Sequence, residues 1–92
     1  MPTARIAIVG DYNPALATHV ATGNALALAA RTLGVTVEVA WVPTRSVTTA
    51  GAEMLAACDG IWAAPGSPYR SLDGALDAIR FARERGKPFV AT

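Results

Sequence analysis

A single cysteine, Cys58, stands in 92 residues. That excludes an internal disulfide framework, and without a second thiol or a nearby histidine it offers no metal-ligand cluster. The expected setting is a reducing one, hence cytoplasmic. An excess of either charge is also missing. Eight basic and seven acidic side chains leave a formal charge of +1, and they are scattered, which argues against nucleic acid or an anionic membrane as partner. No apolar stretch is long enough for a membrane span, and Met1 leads directly into a strand pattern with no leader-like helix. Repeats, linkers and low-complexity tracts are absent too. Lysine is nearly so: arginine outnumbers it seven to one amid abundant alanine, a bias expected of a GC-rich genome.

What is present is apolar and regularly alternating. Hydrophobic residues make up 52% of the chain, above the usual share for a soluble domain, as if the core expected more protein around it. Arg5 to Val9 is a continuous run suited to a strand covered on both faces. Val35 to Val42 alternates Val35, Val37, Val39 and Trp41 against Thr36, Glu38 and Ala40, so it reads as a half-exposed strand near a sheet edge. Ile61 to Ala64 is short and apolar, hence central, and Pro88 to Ala91 is the fourth strand. Three helices fall between them. Leu16 to Leu33 closes at Gly34, Ala50 to Ala57 is shorter, and the third is capped by Ser71 and followed by Gly86. In this third helix Leu72, Ala75, Leu76, Ile79 and Ala82 recur at helical spacing, and Asp73, Asp77, Arg80, Arg83 and Arg85 match the helix dipole.

Strict alternation of strand and helix implies parallel strands with right-handed crossovers. The expected fold is a flavodoxin-like α/β three-layer sandwich with strand order 2-1-3-4, in one domain. In that order the first and third strands are neighbours whose following helices lie on opposite faces, and a crevice opens between them. Its borders are the loops Gly10-Asp11-Tyr12-Asn13-Pro14 and Pro65-Gly66-Ser67-Pro68-Tyr69-Arg70. A dinucleotide fold would need G-x-G-x-x-G where only Gly10 stands. A flavodoxin would need a Ser/Thr-rich phosphate loop at Asp11 to Leu16, and a phosphate-accepting receiver domain an aspartate where Ala63 and Ala64 stand. No cofactor and no metal are therefore expected.

The stretch Gly60-Ile61-Trp62-Ala63-Ala64-Pro65-Gly66-Ser67-Pro68-Tyr69-Arg70-Ser71 resembles the C-terminal, glutamine amidotransferase region of CTP synthase, and more closely its stand-alone relatives. Ile8-Val9-Gly10-Asp11-Tyr12-Asn13-Pro14, His19, Trp41-Val42-Pro43-Thr44 and Ala75 to Gly86 carry the same resemblance. It implies the N-terminal part of a class I glutamine amidotransferase, with hydrolysis of a glutamine-type amide by a nucleophile at the position after Thr92. The catalytic histidine and glutamate of the family lie further downstream, so the 92 residues alone are expected to be catalytically incompetent. Some members of the stand-alone family carry selenocysteine, encoded by UGA, as that nucleophile.

Residue by residue, Gly66 suits a turn that aims amides into the crevice, as an oxyanion hole requires. The resemblance assigns that hole to Gly66 and Ser67. Where CTP synthase itself carries a run of glycines, this chain has Ser67-Pro68-Tyr69, and Pro68 removes a donor. Arg70 has the fork to grip the carboxylate of an amino-acid ligand, or else pairs with Asp11 across the crevice. Tyr12 and Tyr69 either line a pocket or roof the core with their hydroxyls in water. His19, the only histidine, lacks a nucleophile or carboxylate at motif spacing and reads as a structural hydrogen-bonder. Cys58 reads as a small buried hydrophobe, and Asp59-Gly60 as the turn opening the third strand.

A small amide or amino acid is the expected ligand. A homo-oligomer joined through the fourth-strand edge, at Phe89 and Val90, is the expected assembly. The alternative to an amidase is a non-catalytic binding or assembly module of the same fold.

Overall fold

A computed structural model describes residues 2–66 and 69–92. Four strands, β1 (Thr3–Val9), β2 (Thr36–Val42), β3 (Gly60–Ala63) and β4 (Phe89–Ala91), alternate with helices α1 (Ala17–Leu33), α2 (Ala50–Ala57) and α3 (Leu72–Arg85), with a 3-10 turn at Thr44–Ser46. The sheet is wholly parallel, in the order β2-β1-β3-β4. That is the order expected of the flavodoxin-like fold. In register, Val9 lies between Val42 and Ala63, so β1, β2 and β3 end at one level.

With right-handed crossovers, this order sends α1 to one face and α2 and α3 to the other. The main core follows that division. Ala7, Val9, Val42, Val47, Leu55, Cys58, Ile61, Ala78 and Ala82 form one buried cluster with Phe81 packed against it, joining the sheet to α2 and α3. The opposite face is more thinly covered, since only His19 and Thr22 of the α1 residues are buried. β2 is half exposed, as an edge strand should be, whereas β4 is exposed throughout.

Helix ends follow local chemistry. α1 and α3 close at Gly34 and Gly86, both left-handed, with φ of 67° and 65°. Ser71 caps α3, its Oγ accepting from the Gly74 N–H at 3.0 Å. The buried side of α3 differs from the spacing expectation. Ala75 and Ala82 are buried together with Gly74 and Ala78, but Leu72, Leu76 and Ile79 are exposed. Small residues let the helix lie close to its neighbours: a Cβ on Gly74 would overlap the Thr44 carbonyl. The two stripes have the same period, so spacing alone pointed to the bulkier one.

Among the described residues no helix is long and apolar enough to cross a membrane.

Candidate functional site

The strand ends converge on a cavity of ≈ 570 Å³ lined by Asp11, Tyr12, Asn13, Leu16, His19, Gly66 and Arg70. It sits at the carboxyl ends of β1 and β3, where the helices part to opposite faces. Of the expected crevice residues, Asp11, Tyr12, His19, Gly66 and Arg70 are brought together there. Gly10 lies behind them: a Cβ added to it would come within 2.9 Å of the Ala64 Cβ, so it lets the first and third strand ends meet. Ser67, like Pro68, lies outside the described residues.

Asp11 ties three loops together. Its carboxylate accepts from the Thr44 N–H at 3.0 Å, from the Thr44 hydroxyl at 2.9 Å and from the Arg70 N–H at 2.8 Å. The Thr44 hydroxyl oxygen in turn accepts from the Ser71 N–H at 2.9 Å. Burial pushes the Asp11 carboxyl upward, but the Arg70 and Thr44 amides, the Thr44 hydroxyl and the Arg70 charge outweigh it, leaving the group below the ordinary 3.8. Asp11 thus binds the Arg70 main chain, and no Asp11–Arg70 side-chain ion pair forms among the described residues. Arg70 lines the cavity, and its guanidinium has no ion-pair partner among those residues.

His19 spans the crevice behind this network. It is 2% exposed. Its Nδ1 accepts from the Asn13 N–H at 2.9 Å, and its Nε2 lies 2.7 Å from the Pro65 carbonyl oxygen. Tyr12 stacks near it, with ring centroids 6.1 Å apart and planes 18° apart, and Trp41 packs against both rings at 5.0 and 4.8 Å. Tyr12 is half in solvent. Tyr69 departs from expectation, because its hydroxyl donates to the Ala64 carbonyl at 2.7 Å instead of facing water.

Gly66 has φ of 108°, which L side chains rarely adopt, and a Cβ there would lie 3.0 Å from His19 Nε2. The φ favours glycine, and a Cβ would also push on the His19 ring. Its N–H has no hydrogen-bond partner among the described residues. Cys58 is buried before β3, at the opposite end of the sheet, where its Sγ donates to the Leu55 carbonyl. No group of three or more His, Cys, Asp or Glu side chains converges as metal ligands among the described residues.

Sequence reasoning quoted Thr44 only as part of the resemblance and gave it no place in the site, yet it is 1% exposed and central to the network. The signal was available. In the order 2-1-3 the end of β2 adjoins that of β1, so Pro43-Thr44 borders the same rim.

A doubly flanked parallel sheet in this order, with its crevice at the first and third strand ends, is a flavodoxin-like α/β fold, and its likeness to a solved glutaminase domain makes it of the class I glutamine amidotransferase type. The solved glutaminase domain of Trypanosoma brucei CTPS with bound acivicin matches 96% of this chain with a TM-score of 0.81 and 27% identity. In sequence, 86 residues are 36% identical to CTP synthase of Encephalitozoon cuniculi, and 85 residues are 38% identical to that of Pelotomaculum thermopropionicum. No family model matches the chain. The chain is a CTP synthase-related, glutamine amidotransferase-like protein segment. It spans 16% of the length of each of those two CTP synthases and 35% of the Trypanosoma brucei chain.

Proposed function

We propose that this segment supplies the oxyanion-loop half of a glutamine-amide hydrolase. The carrying observation is Gly66, a glycine favoured by its φ, which lines a polar crevice in a chain resembling a glutaminase domain and whose N–H has no partner among the described residues. In acyl transfer such a donor stabilises the negative charge that develops on the amide oxygen. Ser67 is the companion candidate from sequence. Tyr69 supports the loop through Ala64. Arg70 would receive the carboxylate of an amino-acid substrate, a role supported by its position in the crevice lining.

The nucleophile would come from protein beyond these 92 residues. Cys58 is buried at the wrong end of β3, and both nitrogens of His19 are engaged in hydrogen bonds. The 92 residues alone are therefore catalytically incompetent, and a cysteine or selenocysteine outside them makes the attack. The protein would act in the cytoplasm, the reducing setting that its single buried cysteine suits. The DNA following codon 92 tests this. The selenoprotein form of the reading requires UGA there, then in frame a glycine-rich elbow and later a histidine and a glutamate. A different stop, or no such continuation, removes it.

A second reading, an assembly module, is favoured by β4. The Pro88 carbonyl and the Thr92 N–H bond to β3, which leaves the backbone groups of Phe89 and Ala91 facing outward beside an apolar, exposed Val90. Antiparallel pairing of two such edges about Val90 would match Phe89 with Ala91 of a second copy, satisfying both chains. Light scattering across a dilution series tests it: a concentration-independent monomer contradicts the homo-oligomer.

A further inference from the structure

We infer that His19 is a positioning residue that fixes the direction of the Gly66 N–H by anchoring the other side of the same peptide group. The inference rests on the amidase reading for its use and on geometry for its existence. His19 Nδ1 faces the Asn13 N–H at 2.9 Å. A backbone amide can only donate, so Nδ1 carries no proton, and in the neutral ring Nε2 must carry it. That Nε2–H is 2.7 Å from the Pro65 oxygen and donates to it. Pro65 C=O and Gly66 N–H are two ends of one planar trans peptide, pointing in opposite directions. Holding the carbonyl toward the imidazole therefore turns the N–H away from it.

A flip of this peptide needs only ψ of Pro65 and φ of Gly66 to change, and glycine is permissive at the second, so the bond to His19 is what resists it. A flip would carry the Pro65 oxygen away from a buried N–H donor, which is costly to leave unpaired. The chain of bonds from Asn13 N–H through the ring to the Pro65 carbonyl also runs in one direction, so each bond polarises the next and makes the Gly66 N–H a stronger donor. Gly66 is close enough for this to be specific: a Cβ there would meet Nε2 at 3.0 Å. The imidazole thus acts on the donor without accepting a proton in the reaction.

The test uses the 92-residue protein and nuclear magnetic resonance. In the unsubstituted chain the ring nitrogens should show protonated Nε2 and unprotonated Nδ1; a dominant Nδ1–H form overturns the inference without any variant. His19→Asn places an amide near Nδ1 and His19→Gln places one near Nε2. His19→Asn should shift the Pro65 carbonyl carbon to lower frequency, double or broaden the Gly66 amide signal and alter the Pro65 Hα to Gly66 amide cross-peak. His19→Gln should retain most of the original pattern. Unchanged Pro65 and Gly66 signals in His19→Asn, or equal changes in the two folded variants, contradict the anchoring. Should both variants unfold, a scalar coupling from Nε2 to the Pro65 carbonyl decides: present, it supports the anchor, and absent, it overturns it. None of these readouts depends on glutamine turnover. An anchored peptide in a protein whose longer product releases no ammonia would sink the amidase reading alone.

Discussion

The crevice rim and the β4 flank are built from opposite materials. At the rim, Asp11, Thr44, Ser71 and His19 join the ends of β1, β2 and β3 through side-chain to main-chain hydrogen bonds. Among the described residues no buried side-chain nitrogen or oxygen lacks a partner. On the flank, Phe89 and Val90 of β4 and Leu72, Leu76 and Ile79 of α3 are large, apolar and exposed. Polar networks specify a single geometry because any partial loss is costly, whereas exposed apolar surface specifies only that something should cover it. The contrast teaches that the loop geometry is intrinsic to these residues while the flank is free to accept a partner.

Asp11→Ala should break the contrast most strongly. It removes the acceptor of three donors from two other loops, and a loss of about 3 kcal/mol in urea denaturation is expected, in line with charge-assisted hydrogen bonds left unmade. The same carboxylate sets a pH dependence. Its folded value lies below the ordinary 3.8, so its contribution is complete above that value and is lost as pH falls through the lower folded one. Asp11→Asn should flatten that part of the stability profile; an unchanged acid limb would contradict the assignment.

Gly74→Ala comes next, at about 2 kcal/mol, because the new Cβ meets the Thr44 main chain and not a flexible side chain. It should also raise hydrogen exchange at the Ser71 and Arg70 amides, since the start of α3 is held to the rim through Thr44. Cys58→Ala, far from the crevice, should cost about 1 kcal/mol through lost packing and the Leu55 contact, with rim amide signals unmoved. Phe89→Lys should leave monomer stability within ~0.5 kcal/mol, as a surface change does, yet abolish any dilution-dependent association. A large loss of monomer stability would show that the flank is intrinsic too.

Much of the fold was legible because strand and helix alternate without interruption, which implies parallel strands with right-handed crossovers; the order 2-1-3-4 came with the expected flavodoxin-like fold, since handedness alone allows other orders. The crevice followed from the order, and Asp11, Tyr12, His19, Gly66 and Arg70 are all found there. The details that escaped are of another kind. That Arg70 contributes its main-chain N–H to Asp11 cannot be read from a side-chain type. That Tyr69 bonds to Ala64 depends on how tightly the loop folds back. The buried side of α3 escaped because Ala75, Ala78 and Ala82 repeat with the same period as the leucines, and only the close approach at Gly74 selects between them.

Ammonia release from glutamine, followed on the 92 residues beside the longer product proposed above, tests the central claim most directly. The chain alone should stay at background, since an oxyanion donor has nothing to stabilise without an attacking group, while the longer product should turn over glutamine and lose activity when Gly66 is replaced by alanine. Sustained, His19-dependent ammonia release by the 92 residues themselves would contradict the account.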